Sequence, residues 1–147
     1  DSYNSKMNDY NSKLMIQKVP EIYRKNIEIV GAVPKEKVNE YYSEAYATII
    51  PSYYESFSYT CIESMYQGTP VIGSSNGGIK EIIKDKKDGL LFNPLDSSDL
   101  YEKVDYLLSN EKLRNSLSNL AMKKIEDEFL GSSIVDKIDN YFNSIIN

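Results

Sequence analysis

Two glutamates flanking a predicted helix start are the residues of this chain whose type and spacing best suit chemistry. Glu55 lies in a loop of small and aromatic residues, and Glu63 follows eight positions later on the second turn of the helix predicted near 58–66. A carboxylate can accept hydrogen bonds from both hydroxyls of a vicinal diol, and a hydrogen bond to a charged acceptor contributes roughly 1.5 to 3 kcal/mol. The pair therefore suits a ligand that carries two diols.

The helix start between the two glutamates is suited to a phosphate group. Ser58 is a good N-cap, and Gly68 followed by Pro70 marks the end of the helix. Free N–H groups in a first helical turn, together with the positive end of the helix dipole, bind anions without any basic side chain. Two diols beside a diphosphate describe a nucleotide sugar, so the segment predicts a nucleotide-sugar site.

The elements that must position this site are predicted by alternating apolar runs. Because strands and helical segments alternate, we expect an α/β fold with a Rossmann-like parallel sheet and helices on both faces. The loops after Gly31, Ile50 and Gly73 should then converge at the carboxyl edge of the sheet, where ligands of such sheets bind. The predicted strands cover residues 27–31, 47–50, 71–73 and 90–92. The predicted helices cover Val38 to Tyr42, 60–66, 79–83, 96–108, 111–129, a segment with Met7, Tyr10 and Leu14, and a last segment capped by Ser132 and Ser133.

Composition narrows the function classes. The chain has 147 residues, 41% of them hydrophobic, and a formal net charge of -5, which fits one globular domain without a basic field for nucleic acid. It has no histidine and one cysteine, Cys61, which we expect to be a small packing residue. A hydrolytic triad, a zinc centre and an intrachain disulfide are therefore disfavoured. We expect no metal, no cofactor and a cytoplasmic location.

A pair of glutamates and the five ordered motifs around it resemble those of one enzyme family. Glu55, seven intervening residues and Glu63 are similar to the Glu-x7-Glu signature of retaining GT-B glycosyltransferases, group 1 or family 4-like. The flanking motifs keep the family order over roughly residues 27 to 129. They are Ile29 to Val33, Ala45 to Ser52, Gly68 to Ile72, Gly77 to Glu81 and Asp88 to Pro94. The resemblance implies the C-terminal, donor-binding half of a GT-B fold.

The resemblance also implies roles for individual residues. Glu55 would contact donor-sugar hydroxyls at the catalytic centre, and Glu63 would hold the ribose hydroxyls. Backbone amides of the loop and helix start would lie at the sugar and diphosphate. The turn after the first predicted strand would lie at the nucleobase. A glycine pair would permit close backbone approach in the next loop. These donor-binding residues are Ser56, Phe57, Ser58, Tyr59, Thr60, Val33, Gly77 and Gly78. A tight turn is the plain alternative for the glycine pair.

Two departures from the family pattern change these expectations. The family usually has Gly-Phe-Gly where this chain has Ser56-Phe57-Ser58, which predicts a different loop geometry or donor preference. The basic pair that holds the diphosphate in the family belongs to an earlier βαβ unit, which we do not find in this chain, and we do not find the acceptor-binding N-terminal domain either. We therefore expect residues 1–147 to form a partial, N-terminally incomplete donor domain that is inactive alone.

For the whole protein the resemblance implies transfer of a hexose from a nucleoside diphosphate sugar to a hydroxyl acceptor, with retention of configuration. The bias toward Asn, Lys, Ile and Tyr favours a bacterial source. Cell-surface polysaccharide or glycoconjugate synthesis is the setting that we then expect. The N-terminal domain would contact the inner face of the membrane. Two alternatives stay open. One is another GT-B enzyme, a sugar-nucleotide epimerase or a phosphorylase, and the other is a non-catalytic subunit that binds a partner protein, which Ser56 and Ser58 favour.

Overall fold

The computed structural model describes residues 14–131, and these fall into two units that meet in sequence at Pro34 and Lys35. Each unit is described by itself below. The predicted helix after Ser132 and the residues Met7 and Tyr10 of the predicted first helix lie outside the described residues. In the part of the chain that the structure describes, no helix is both long and apolar enough to cross a membrane.

Residues 14–34 of the first unit contain two short helices, α1, helical at residues 14–18, and α2 (Glu21–Arg24). The guanidinium group of Arg24 donates hydrogen bonds to the carbonyl oxygens of Val19 (2.8 Å) and Gln17 (2.9 Å), which joins the two helices. The predicted strand at 27–31 is wrong, because this segment is irregular. A strand requires a backbone partner, and no described segment forms a ladder with it.

The second unit is the expected α/β structure. Its sheet has three parallel strands in the order β1-β2-β3, with Thr48 opposite Val71 and Ile72 opposite Leu90. Parallel strands need crossover connections, and the helices that follow β1 and β2 provide them. The elements are α3 (Lys35–Glu44), β1 (Thr48–Ile50), α4 (Tyr59–Tyr66), β2 (Val71–Ser74), α5 (Ile79–Ile82), β3 (Leu90–Phe92), α6 (Ser97–Leu108) and α7 (Glu111–Glu128). The predicted strands and helices of this unit are thus confirmed, apart from small shifts at their ends.

The core of the second unit lies on both faces of the sheet. Successive residues of a strand point to opposite faces, so Val71 packs in one apolar cluster and Ile72 in another. The first cluster receives Cys61 of α4 and the second Leu107 of α6. Helix α7 contributes to both clusters, since Ala121 and Ile125 pack in the first and Leu117 in the second. Helices therefore cover both faces, as the sequence predicts.

A buried ion pair fixes the turn before β3 against α7. The Asp88 side chain is 4% exposed, and its Oδ2 lies 2.9 Å from Nζ of Lys124. Its Oδ1 accepts a hydrogen bond of 2.6 Å from the backbone N–H of Lys84. Lys124 also donates to the carbonyl oxygen of Ile82, so one ammonium group binds both ends of the α5-to-β3 connection.

Candidate functional site

The start of α4 is set by local capping and by packing on the sheet. Ser58 is the N-cap, with an extended backbone, and its Oγ accepts a hydrogen bond of 3.3 Å from the N–H of Cys61. On the inner face of the helix Cys61 and Ser64 are buried, and Ser64 donates a hydrogen bond of 2.8 Å to Oγ1 of Thr48 in β1. The expected cap is confirmed, and the Ser64 bond holds the second half of α4 against the first residue of β1.

The serines that replace the family glycines are under no backbone strain. Among the described residues the one non-glycine with a positive φ is Lys86, so Ser56 and Ser58 occupy ordinary backbone regions. Glycine is therefore not required at either position, and serine at 58 adds the N-cap hydrogen bond. The substitution does not prevent the loop from leading into α4.

Glu55 presents an unsatisfied acceptor. Its Oε2 is buried and has no hydrogen-bond partner within the described residues. Buried polar atoms are almost always paired, so such an atom marks a place where an external donor fits. A hydroxyl group of a bound ligand is a donor of that kind. Glu55 thus keeps one acceptor without a partner among the described residues, and its contact with a donor sugar stays a prediction.

The glycine pair holds the backbone of the Glu55 loop. A Cβ on Gly77 would lie 2.2 Å from the carbonyl oxygen of Glu55, and one on Gly78 would lie 2.1 Å from that of Ser56. The N–H of Gly78 donates to the Glu55 carbonyl at 2.6 Å, and Asn76 Nδ2 donates to the Tyr53 carbonyl at 3.1 Å. The pair therefore permits close approach of the two loops to each other, which is more than a tight turn. Its approach to a donor stays a prediction.

Glu63 lies on the outer face of α4, which it shares with the first helical turn. Residues three and four apart on a helix are neighbours, so Glu63 follows Thr60 and Tyr59 on one face, about one 5.4 Å turn from the helix start. The N–H groups of Tyr59 and Thr60 have no acceptor inside the helix. The Glu63 carboxylate thus projects from α4 about one turn beyond these backbone donors. Glu63 Oε1 lies 3.0 Å from Nζ of Lys35 at the start of α3.

The other predicted donor residues are partly brought together. The rings of Phe57 and Tyr59 contact edge to face, with centroids 5.2 Å apart, and both are exposed beside the helix start. Ser56 and Thr60 are exposed as well. Val33 is half-buried in the first unit, and its proximity to a nucleobase stays a prediction.

Sequence reasoning missed two contributors to this site. Lys35 contacts Glu63, and Asn76 holds the Tyr53 carbonyl. Asn76 directly precedes the glycine pair, and an amide side chain beside glycines is typical of a structured turn. Lys35 carries no comparable signal, because its partner is set by how α3 packs on α4.

Cys61 is a packing residue, and its titration gives a test of the core beneath α4. Burial, with smaller contributions from the nearby carboxylates of Asp88 and Glu55, raises the pKa of its thiol from 9.0 to about 12. Between these two values the unfolded chain loses a proton that the folded chain keeps. The free energy of unfolding should therefore fall as the pH rises above about 9.

The measurement is urea denaturation between pH 8 and 10 of the natural chain and of Cys61→Ala. We expect the variant to be less stable at pH 8 but to lose less stability across this range. Parallel pH profiles for the two proteins would contradict the buried, neutral thiol. Alkylation of the folded natural chain by iodoacetamide should also be slow, since the thiolate is the reactive form.

Comparisons with known proteins identify the family. The model of the family described as Glycosyl transferases group 1 matches residues 8–124. The chain belongs to this family. Among curated relatives, the uncharacterized glycosyltransferase MJ1607 of Methanocaldococcus jannaschii is 31% identical over 119 residues, which are 81% of this chain and 30% of the relative. This glycosyltransferase-family chain thus spans about 30% of the length of that relative.

Solved structures support the GT-B fold of this family member. Sucrose-phosphate synthase from Thermosynechococcus elongatus matches with a TM-score of 0.71 and 28% identity, over 81% of this chain and 30% of that one. The Anabaena protein Alr3699/HepE in complex with UDP matches with a TM-score of 0.64 and 20% identity, over 70% of this chain and 29% of that one. At that identity the second match shows the fold alone. In the described part of the chain, no three residues of His, Cys, Asp or Glu form a group that could hold a metal ion.

Proposed function

We propose that the start of α4, with Glu55 before it and Glu63 on it, binds the nucleoside diphosphate sugar of a retaining glycosyltransferase. The observation that carries this proposal is the buried, unpaired Oε2 of Glu55 beside a capped helix start. The family to which the chain belongs supports it. No metal is needed in this proposal, because backbone donors and the helix dipole act on the diphosphate.

The proposed division of labour follows from the chemistry of each group. Glu55 accepts hydrogen bonds from hydroxyls of the sugar, and Glu63 accepts from the ribose diol one helical turn further on. The N–H groups at Tyr59 and Thr60 stabilise charge on the leaving diphosphate, as preorganised donors do in other group transfers. The acceptor is a hydroxyl group, with bacterial cell-surface polysaccharide synthesis as the setting that composition favours.

The test is titration of the chain with UDP, GDP and ADP and their glucose conjugates, followed through the backbone amides of residues 55–63 by NMR. We expect Glu63→Ala to weaken binding of the preferred nucleotide by roughly 10- to 150-fold, the equivalent of losing hydrogen bonds to a charged acceptor. Glu55→Gln should weaken the sugar conjugate more than the free diphosphate, because Glu55 is assigned to the sugar.

Glu102→Gln is the control, since Glu102 is an exposed carboxylate on α6 and is not one of the proposed site residues. It should leave every affinity unchanged. Equal effects of Glu102→Gln and Glu63→Ala would show a general charge effect and contradict the assignment. A chain that binds none of these nucleotides would count against the donor site and favour the alternative of a partner-binding subunit.

A further inference from the structure

The first residue of α3 reaches across to the ribose-binding carboxylate. Lys35 Nζ lies 3.0 Å from Glu63 Oε1, within hydrogen-bond distance, and the Lys35 and Glu63 side chains are 71% and 31% exposed. The two residues come from different helices that pack together, α3 and α4. The contact thus belongs to the tertiary structure of the second unit.

Neither helix stability nor folding energy explains a lysine at this position. The start of a helix carries a partial positive charge, so a cation in the first turn of α3 is unfavourable for the helix itself. An ion pair with this much exposure also adds little to folding stability, because water and salt screen it. What the contact does set in this structure is the direction of the Glu63 carboxylate, which points toward Lys35.

We propose that Lys35 is a positioning residue, which holds Glu63 in the orientation that accepts the ribose diol. This proposal rests on the donor-site function given above. An ionised carboxylate has about four acceptor positions on its two oxygens, so one bond to Lys35 leaves enough for two hydroxyls. Binding to a carboxylate that is already oriented avoids the loss of side-chain freedom that a mobile glutamate would suffer.

The proposal makes the contribution of Lys35 depend on the diol. A nucleotide without 2′ and 3′ hydroxyls does not use Glu63, so the orientation of this carboxylate has no effect on its affinity. A lysine that touched a phosphate would act on both kinds of nucleotide alike. The comparison of the two kinds therefore separates positioning from direct contact.

The experiment uses the whole chain and its variant Lys35→Met, titrated with UDP, GDP and ADP and with their 2′,3′-dideoxy forms. We expect about two- to fivefold weaker binding of the ribose form that the natural chain prefers, since an exposed ion pair contributes up to about 1 kcal/mol, and no change for its dideoxy form. Lys37→Met is the matched control, because Lys37 lies on the same helix and pairs with Glu40 instead. It should change neither affinity.

Three results would overturn the proposal. Unchanged affinity for the ribose form would show that Lys35 has no influence, an equal loss for both forms would show a phosphate or general charge effect, and tighter binding would show that Lys35 competes with the diol. Failure of the natural chain to bind any ribose nucleotide would refute the donor site itself. In that case the side-chain coupling constants of Glu63, measured without ligand, test the orienting contact separately from the donor site. A single Glu63 rotamer in the natural chain that becomes averaged in Lys35→Met verifies the contact. Averaged rotamers in the natural chain refute it.

Discussion

Replacing Gly77 with alanine is expected to lower the free energy of unfolding by about 2 to 5 kcal/mol and to displace the loop that carries Glu55. Two effects add at this position. Gly77 has a φ of +66°, a left-handed conformation that disfavours alanine, and its new Cβ would overlap the Glu55 carbonyl oxygen at 2.2 Å. Because the overlapping atom is backbone, the loop itself must shift.

Gly68→Ala is the control that separates strain from overlap. Gly68 has a φ of +75° but no atom within 4 Å of an added Cβ, so alanine there brings the conformational cost alone, about 1 to 2 kcal/mol. Urea denaturation gives both free energies, and amide shifts of residues 53–58 report the loop. If the two variants lose equal stability and neither moves those amides, the glycine pair does not hold the donor loop.

Replacing Lys124 with methionine should destabilise the second unit by about 3 to 5 kcal/mol, because it leaves the Asp88 carboxylate buried without its cation. The expected loss is large since Asp88 is only 4% exposed and cannot regain water without opening the turn before β3. The carbonyl of Ile82 loses a donor in the same variant. Urea denaturation at pH 7 measures the effect.

Lys123→Met is the neighbouring control, because Lys123 is exposed on the same helix. It should change the free energy of unfolding by less than about 0.5 kcal/mol. A double-mutant cycle with Asp88→Asn adds a sharper criterion, since partners in one buried pair are not additive. Simple additivity of the two single losses would show that the pair is not coupled.

The fold was predictable where the signal was local. Val71 and Ile72 form a short β-branched run that ends before small residues, and this is typical of a strand buried on both faces. The segment at 27–31 carries a similar pattern and yet forms no strand, because pairing depends on a neighbour that the pattern does not contain. A local run of β-branched residues indicates that a segment can form a strand, but the hydrogen-bonded ladder requires a second segment beside it.

In the candidate site, too, local features could be predicted and long-range contacts could not. The N-cap at Ser58 could be predicted, since the cap, the helix start and the hydrogen bond all lie within four residues. The contact of Gly78 with the Glu55 loop joins segments more than twenty residues apart, and that of Lys35 with Glu63 depends on the packing of two helices. Neither follows from spacing along the chain. The residues proposed for the donor site could be chosen from the sequence, but the contacts that orient them could not.

The participation of α7 in both apolar clusters ties the two layers of the second unit into one cooperative folding unit. If Leu117 leaves the cluster on one face, Ala121 and Ile125 on the same rigid helix lose their places on the other. Opening one layer while the other stays intact is then unfavourable, so amide hydrogens of β2 and β3 should exchange with solvent through a shared opening. The edge proposed to bind the donor thereby gains a kinetic protection that comes from a helix on which none of the proposed site residues lies.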